Sequence, residues 1–228
     1  MGRLRIGTSG WSYPAWVGPF YPPGTSPARM LGVYAGSFDT VEAHATYRRL
    51  PAAAALERWA AAVPAHFRFA PKAHMGITHR RDLDAVEDRV AAFLAALAPL
   101  GDLRGPVLFS LPHLEPDLGR LGRILDAVPA GVASAFELGP AWSTPAVLDR
   151  LDAGGATLVA VDADPPPVGP VAYVRLRRGA YSGPELDAWA ERLAKVTADG
   201  RDAYVFLKHD DVATGPALAR ELGARIRG

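Results

Sequence analysis

Along Thr40-Val41-Glu42-Ala43-His44-Ala45-Thr46-Tyr47 an acid, an imidazole and a hydroxyl recur at every second position. Side chains of a strand alternate between its faces, so the spacing predicts a strand over 40–47. Glu42, His44 and Thr46 share one face of it, and Val41, Ala43, Ala45 and Tyr47 the other. A carboxylate turned inward is costly unless it is paired or working. Comparable side chains recur at the ends of other strand-like stretches. Ser9, Trp11 and Tyr13 follow the first of them, Lys72 ends the third with His79 beyond it, and Ser110 lies in the fourth. Glu137 lies in the fifth, Asp162 follows the sixth, Arg175 and Arg177 occupy the seventh, and Lys208 and His209 follow the eighth. Carboxylates gathered with lysines, arginines and histidines shift one another's pKa towards neutrality, as acid/base catalysis requires. The same groups also make an ion-pair lattice, and residue types alone leave both readings standing.

These side chains need elements to hold them. Apolar runs bounded by turn formers predict strands at 4–8, 40–47, 67–72, 107–111, 133–138, 157–161, 173–177 and 203–207. Helical periodicity predicts helices from Ser26-Pro27 to about Gly36, then at 52–62, 84–97, 118–127, 145–151, 184–196 and 212–226. The stretch Asp164-Pro165-Pro166-Pro167 is incompatible with a helix interior, so one outer helix after strand six is expected to be short or missing. Eight strands alternating with mostly helical segments in 228 residues predict an α/β fold of the TIM-type (β/α)8 kind, one domain over residues 1–228. In such a barrel the site lies at the C-terminal ends of the strands, where all the residues named above fall. Trp59 and Trp189 are core by helical spacing. Trp11, Trp16 and Trp142 lie in loops and are expected as exposed aromatics around the mouth.

Composition excludes several classes. Cysteine is absent, which removes disulfides, thiolate nucleophiles and zinc-thiolate sites. A formal net charge of +1 offers no broad basic face to a duplex or an anionic membrane, so anion binding must be local. Lysine occurs only at 72, 195 and 208, the remaining basic residues being arginine. No glycine-rich dinucleotide fingerprint, P-loop or serine elbow is present. A divalent-ion site built from Glu42, His44, Glu137, Asp162 and His209 is the weaker reading, because no dense ligand motif occurs and Lys72 and Lys208 compete for the carboxylates. No cofactor is expected. The N-terminus leads directly into a strand without an apolar leader, and no stretch is long enough to span a membrane, so a soluble, cytoplasmic protein is expected.

Over nearly its whole length the chain resembles the YecE-like family, catalogued as domain of unknown function 72. The residues that carry the resemblance are Gly7-Thr8-Ser9-Gly10-Trp11-Ser12-Tyr13, Trp16-Val17-Gly18-Pro19-Phe20-Tyr21-Pro22, Phe38-Asp39-Thr40-Val41-Glu42 with Thr46, and Leu50-Pro51. Further matches are Phe67-Arg68-Phe69 with Lys72, Ile77-Thr78-His79, Leu111-Pro112, Phe136-Glu137, Trp142, Asp162 and Tyr173-Val174-Arg175-Leu176. The resemblance implies a TIM barrel and no established reaction. The chain departs from the family's pattern at strand ends, with His44 for Asn, Arg48 for Tyr, Ser110 for Gln and Leu138-Gly139 for Arg-His. Arg177-Arg178 replace His-Gly, and Lys208-His209 replace Asn-Asn. Most replacements are cationic or can become so, which implies an anionic ligand such as a phosphate or carboxylate.

The resulting expectation is a metal-independent site that binds a small anion through Arg175, Arg177 and Lys208. Glu42 and Glu137 do acid/base or hydrolytic work there, with His44 or Lys72 sharing the proton and Asp162 adding a third carboxylate. Ser9, Trp11, Tyr13, His79, Trp142 and His209 line the ligand site. The alternative is a non-catalytic module for single-stranded nucleic acid or protein, in which the loop aromatics form a stacking platform over a basic mouth. No membrane partner is expected, and no protein partner is indicated.

Overall fold

The strands are short and nearly every residue in them is buried, as near-continuous apolar sequence such as Val107–Leu111 demands of parallel strands covered on both faces. The computed structural model describes residues 1–80, 84–164 and 169–227. Its strands are β1 (Leu4–Thr8), β2 (Thr40–Ala43), β3 (Arg68–Pro71), β4 (Val107–Leu111), β5 (Ser134–Leu138), β6 (Thr157–Leu158), β7 (Ala160–Val161), β8 (Val171–Leu176) and β9 (Asp202–Leu207). Between them run helices α1 (Pro27–Ala35), α2 (Ala45–Arg48), α3 (Ala53–Ala61), α4 (Met75–Thr78), α5 (Val86–Ala96), α6 (Leu118–Asp126), α7 (Pro145–Ala153), α8 (Gly183–Ala198) and α9 (Thr214–Arg227). Local chemistry sets their ends. In α8, Ser182 and Glu185 form a capping box with Pro184 in the first turn, and Leu186, Trp189 and Leu193 make the buried stripe behind it.

Among the described residues all strand pairs are parallel and fall into three sheets, ordered β1-β9-β8-β7, β2-β3 and β4-β5-β6. Single parallel bridges join Ser9 to Glu42 and Lys72 to Leu108, so sheet edges meet beside the residues of interest. Gly7 makes the first approach feasible, because a Cβ there would lie 2.0 Å from the carbonyl oxygen of Thr40. The ladders establish an α/β fold with parallel sheets. Most apolar side chains pack between strands and helices, whereas Ala70, Leu108, Ala135, Val159, Tyr173, Tyr204 and Phe206 form a second cluster of their own. They come from β3, β4, β5, β8, β9 and the β6–β7 junction. Among the described residues no helix is long and apolar enough to cross a membrane.

Two strands differ from expectation. The second stops at Ala43, and His44 adopts right-handed helical geometry ahead of α2, so the predicted alternation through 47 does not occur. A side chain secures the turn: after the last ladder bond, Lys72 N–H to the Ala43 carbonyl, the Thr46 hydroxyl lies within hydrogen-bond reach of the carbonyls of Ala43 and Lys72, nearer to that of Lys72 at 2.7 Å. The sixth is broken at Val159, with Thr157–Leu158 pairing to β5 and Ala160–Val161 pairing to β8. No helix occurs among the described residues between β7 and β8; the proline run expected to shorten it lies at Pro165–Pro167, outside the described residues.

Candidate functional site

Glu42, carried by β2, is fully buried and accepts from four side chains. Ser9 Oγ donates at 3.0 Å, the Tyr173 hydroxyl at 3.0 Å and Arg175 Nη2 at 2.9 Å, and His44 Nε2 makes a close contact. Glu137 on β5 stands beside its register partner Ser110 on β4, whose hydroxyl donates to it. Arg175 Nη1 donates to the other Glu137 oxygen, so one buried guanidinium bridges two buried carboxylates. Burial alone would raise the pKa of Glu42, but Arg175 and His44 outweigh it and hold the carboxyl well below its usual range. Arg175 shows the converse: burial opposes its charge, while Glu42 and Glu137 raise its pKa. Burial and the charge of Glu42 push the Tyr173 hydroxyl well above its ordinary value, so it stays a donor. The Arg175 Nε atom is buried with no hydrogen-bond partner, as is His209 Nδ1.

Two further cations stand near this triad. Arg177 is half-buried, and its Nη1 donates to Ser9 Oγ at 2.8 Å. Its pKa is lowered, first by burial and then by Arg175. Lys72 is half-buried with its Nζ 4.5 Å from the centre of the Tyr47 ring, and its pKa is lowered by the same two causes. The two carboxylates thus stand among three basic side chains, Arg175, Arg177 and Lys72. His209 stacks on Tyr13 with ring centres 4.8 Å apart and meets His44 edge-on at 6.1 Å. Burial and then His44 lower the pKa of His209. Burial, then Glu42, push the Tyr13 hydroxyl up to about 12, and it donates to the Ser9 carbonyl.

The remaining expected residues stand differently. Asp162 is exposed and accepts from the backbone N–H of Arg177 and from the Tyr181 hydroxyl, so it shapes the loop after β8 and makes no hydrogen bond to Glu42 or Glu137. Lys208 and His79 are exposed; His79 lies near the Tyr47 hydroxyl at 3.4 Å. Arg175, expected to bind the ligand, has both terminal nitrogens engaged by carboxylates. The expected exposed aromatics are buried instead. Trp11 packs edge-on against Trp59 at 4.8 Å, while the indole N–H groups of Trp16 and Trp142 donate to the carbonyls of Asp210 and Leu114. Those carbonyls satisfy the indoles' polar edges inside the protein, which removes the reason for them to stay at the surface.

Two cavities adjoin the triad. One of about 660 Å³ is lined by Glu137, Trp142, Val159 and Val161 among others, and one of about 160 Å³ by Trp11, Tyr13 and His44. No group of three His, Asp or Glu side chains among the described residues converges as a metal-ion set. Tyr173 is the participant that motif reading missed. Its signal was present, because Tyr173, Arg175 and Arg177 alternate along one strand face as Glu42 was expected to do with its neighbours.

The family model described as "Protein of unknown function DUF72" matches residues 5–228. The protein YecE of Escherichia coli K12 is 31% identical over 133 residues, covering 55% of this chain and 44% of YecE. The match thus spans less than half the length of that curated relative. Among solved structures, a DUF72 family protein from Thermotoga maritima superposes with a TM-score of 0.84 at 20% identity, covering 99% of this chain and 100% of that one. A DUF72 family protein from Enterococcus faecalis gives 0.77 at 20% identity, covering 100% and 99%. At these identities the likeness speaks for the fold.

Proposed function

The chain belongs to the DUF72 family, and we infer that it is a small-anion-binding protein with a metal-independent acid/base site at the mouth of a (β/α)8-type barrel formed by residues 1–228. For the barrel, the support is strand order: the ladders join strands that are neighbours in sequence or the first and last, and the bridges Ser9–Glu42 and Lys72–Leu108 link β1 to β2 and β3 to β4, the order closure requires. For the anion, the carrying observation is that Arg175 takes a carboxylate oxygen of both Glu42 and Glu137, while Arg177 and Lys72 form no ion pair of their own with either carboxylate and stand half-buried with lowered pKa values. Such cations gain most from an anion, because it offsets both their desolvation and the repulsion from Arg175.

Roles follow from surroundings. Glu42, saturated by donors, is the frame that holds Ser9, His44, Tyr173 and Arg175. Glu137 lines the larger cavity, and Lys72 combines partial exposure with an eased loss of its proton, so these two carry the proton transfer. The stacking-platform alternative has no comparable support, since its tryptophans are buried. The test is isothermal titration with inorganic phosphate. Binding that weakens about tenfold or more in Arg177→Ala, with the fold intact by circular dichroism, is expected from loss of a charge-assisted contact. Phosphate binding that is absent, or indifferent to Arg177, would refute the reading.

A further inference from the structure

The geometry points to a ligand with two parts: an anionic head held by Arg177 and Lys72, and an apolar body of about ring size seated in the 660 Å³ cavity between the ends of β5 and β7. This inference rests on the anion-binding reading and adds the chemical class of what is bound, an organic phosphomonoester or comparable acid with an apolar substituent. Three observations carry it. The cavity meets the charged cluster at one residue, because Glu137 lines it while its carboxylate holds Arg175. The register of β7 against β8 sets Val161 opposite Arg175, so the apolar wall and the charged cluster sit on adjacent strands.

The lining is the second observation. Leu138 and Leu158 are half-buried, and Val161 is 39% exposed, one of few large apolar side chains so open among the described residues. Trp142 backs the wall, held by its indole bond to Leu114. Apolar surface left open beside buried charge is what a ligand carrying both characters covers. Third, the back of the cavity is closed by backbone: a Cβ at Gly139 would lie 2.4 Å from the Pro112 carbonyl oxygen, so the loops after β4 and β5 are in direct contact there. The volume lies within the roughly 300–1,000 Å³ of small-ligand sites, and a phosphate alone would leave most of it unfilled.

Phenyl phosphate and methyl phosphate have the same head and differ in the body, which isolates the cavity's contribution. Isothermal titration of both into the full chain is expected to give phenyl phosphate at least about tenfold the affinity, from burial of the ring. Ser143 is exposed on the rim, so Ser143→Trp fills the opening without touching the core. That variant should bring the two affinities together and leave methyl phosphate unchanged, whereas Arg177→Ala should weaken both and preserve their ratio. Equal affinities in the parent protein, or an advantage that survives Ser143→Trp, would overturn the cavity assignment and leave the anion site intact. Methyl phosphate binding untouched by Arg177→Ala would overturn the anion site beneath it.

Discussion

Replacing Arg175 by Met tests the centre of the structure, because one side chain supplies the counter-charge for two buried carboxylates. Met approximates the length of the arginine stem, so the substitution removes charge and donors more than volume. At 2.9 Å and an effective dielectric of about 20, the Arg175–Glu42 attraction is about 6 kcal/mol before desolvation is subtracted. Removing one partner of a buried pair typically costs about 3–5 kcal/mol, since the other charge is left uncompensated. In a chain of this size that corresponds to a fall in Tm of roughly 6–20 °C. Glu42 keeps Ser9, Tyr173 and His44 as partners, so the fold is expected to survive.

The pH dependence sharpens the test. In the parent protein the Glu42 pKa is held below its ordinary value, so the pair contributes stability above pH 4.5 that is lost as pH falls through the folded pKa. Without Arg175 the largest charge holding the Glu42 carboxyl down is gone while burial remains, so its folded pKa rises from the parent's and the variant's deficit is greatest at neutral pH and shrinks as Glu42 protonates. Urea denaturation at about pH 8, 6 and 5 should therefore show the deficit shrinking on acidification. A loss under about 1 kcal/mol at pH 8, or a deficit that does not change with pH, would refute the account of Arg175 as the shared counter-ion.

Tyr173→Phe removes one donor from a buried carboxylate and should cost about 1.5–3 kcal/mol in urea denaturation; a change within about 0.5 kcal/mol would place that hydroxyl outside the frame. Lys72 makes sulfate binding pH-dependent, because a bound anion raises its lowered pKa and binding takes up a proton wherever the free lysine has lost one. Affinity for sulfate, whose own charge is constant here, should be full below the free site's pKa and fall as pH rises through it, at values below 10.5. Lys72→Met should bind more weakly with a flat profile, and a parent profile that is flat to pH 10 would count against Lys72 as an anion contact.

Much of the fold was legible because burial on both strand faces writes itself as apolar runs. The runs at 4–8, 107–111 and 203–207 correspond to β1, β4 and β9, and the capped stripe at 184–196 to α8. Glu42 and Glu137 were legible as site candidates because carboxylates in such runs have no inexpensive solvated alternative. The turn at His44 was not, since it involves the Thr46 hydroxyl reaching the Lys72 carbonyl just past β3, 26 residues away. Nor was the burial of Trp16 and Trp142, because the carbonyls that accept from them lie 194 and 28 residues distant.

The amino-acid sequence by itself determined the order of elements, the family, and the presence of acids and bases at strand ends, for these follow from local periodicity and residue type. Tertiary structure alone decided who is paired with whom. It paired Arg175 with Glu42 and Glu137, surrounded Glu42 with Ser9, His44 and Tyr173 as well, and left Arg177 and Lys72 half-buried nearby. The physical reason is that a buried charge is governed by groups brought within about 3 Å of it by folding, and separation along the chain carries no record of that distance.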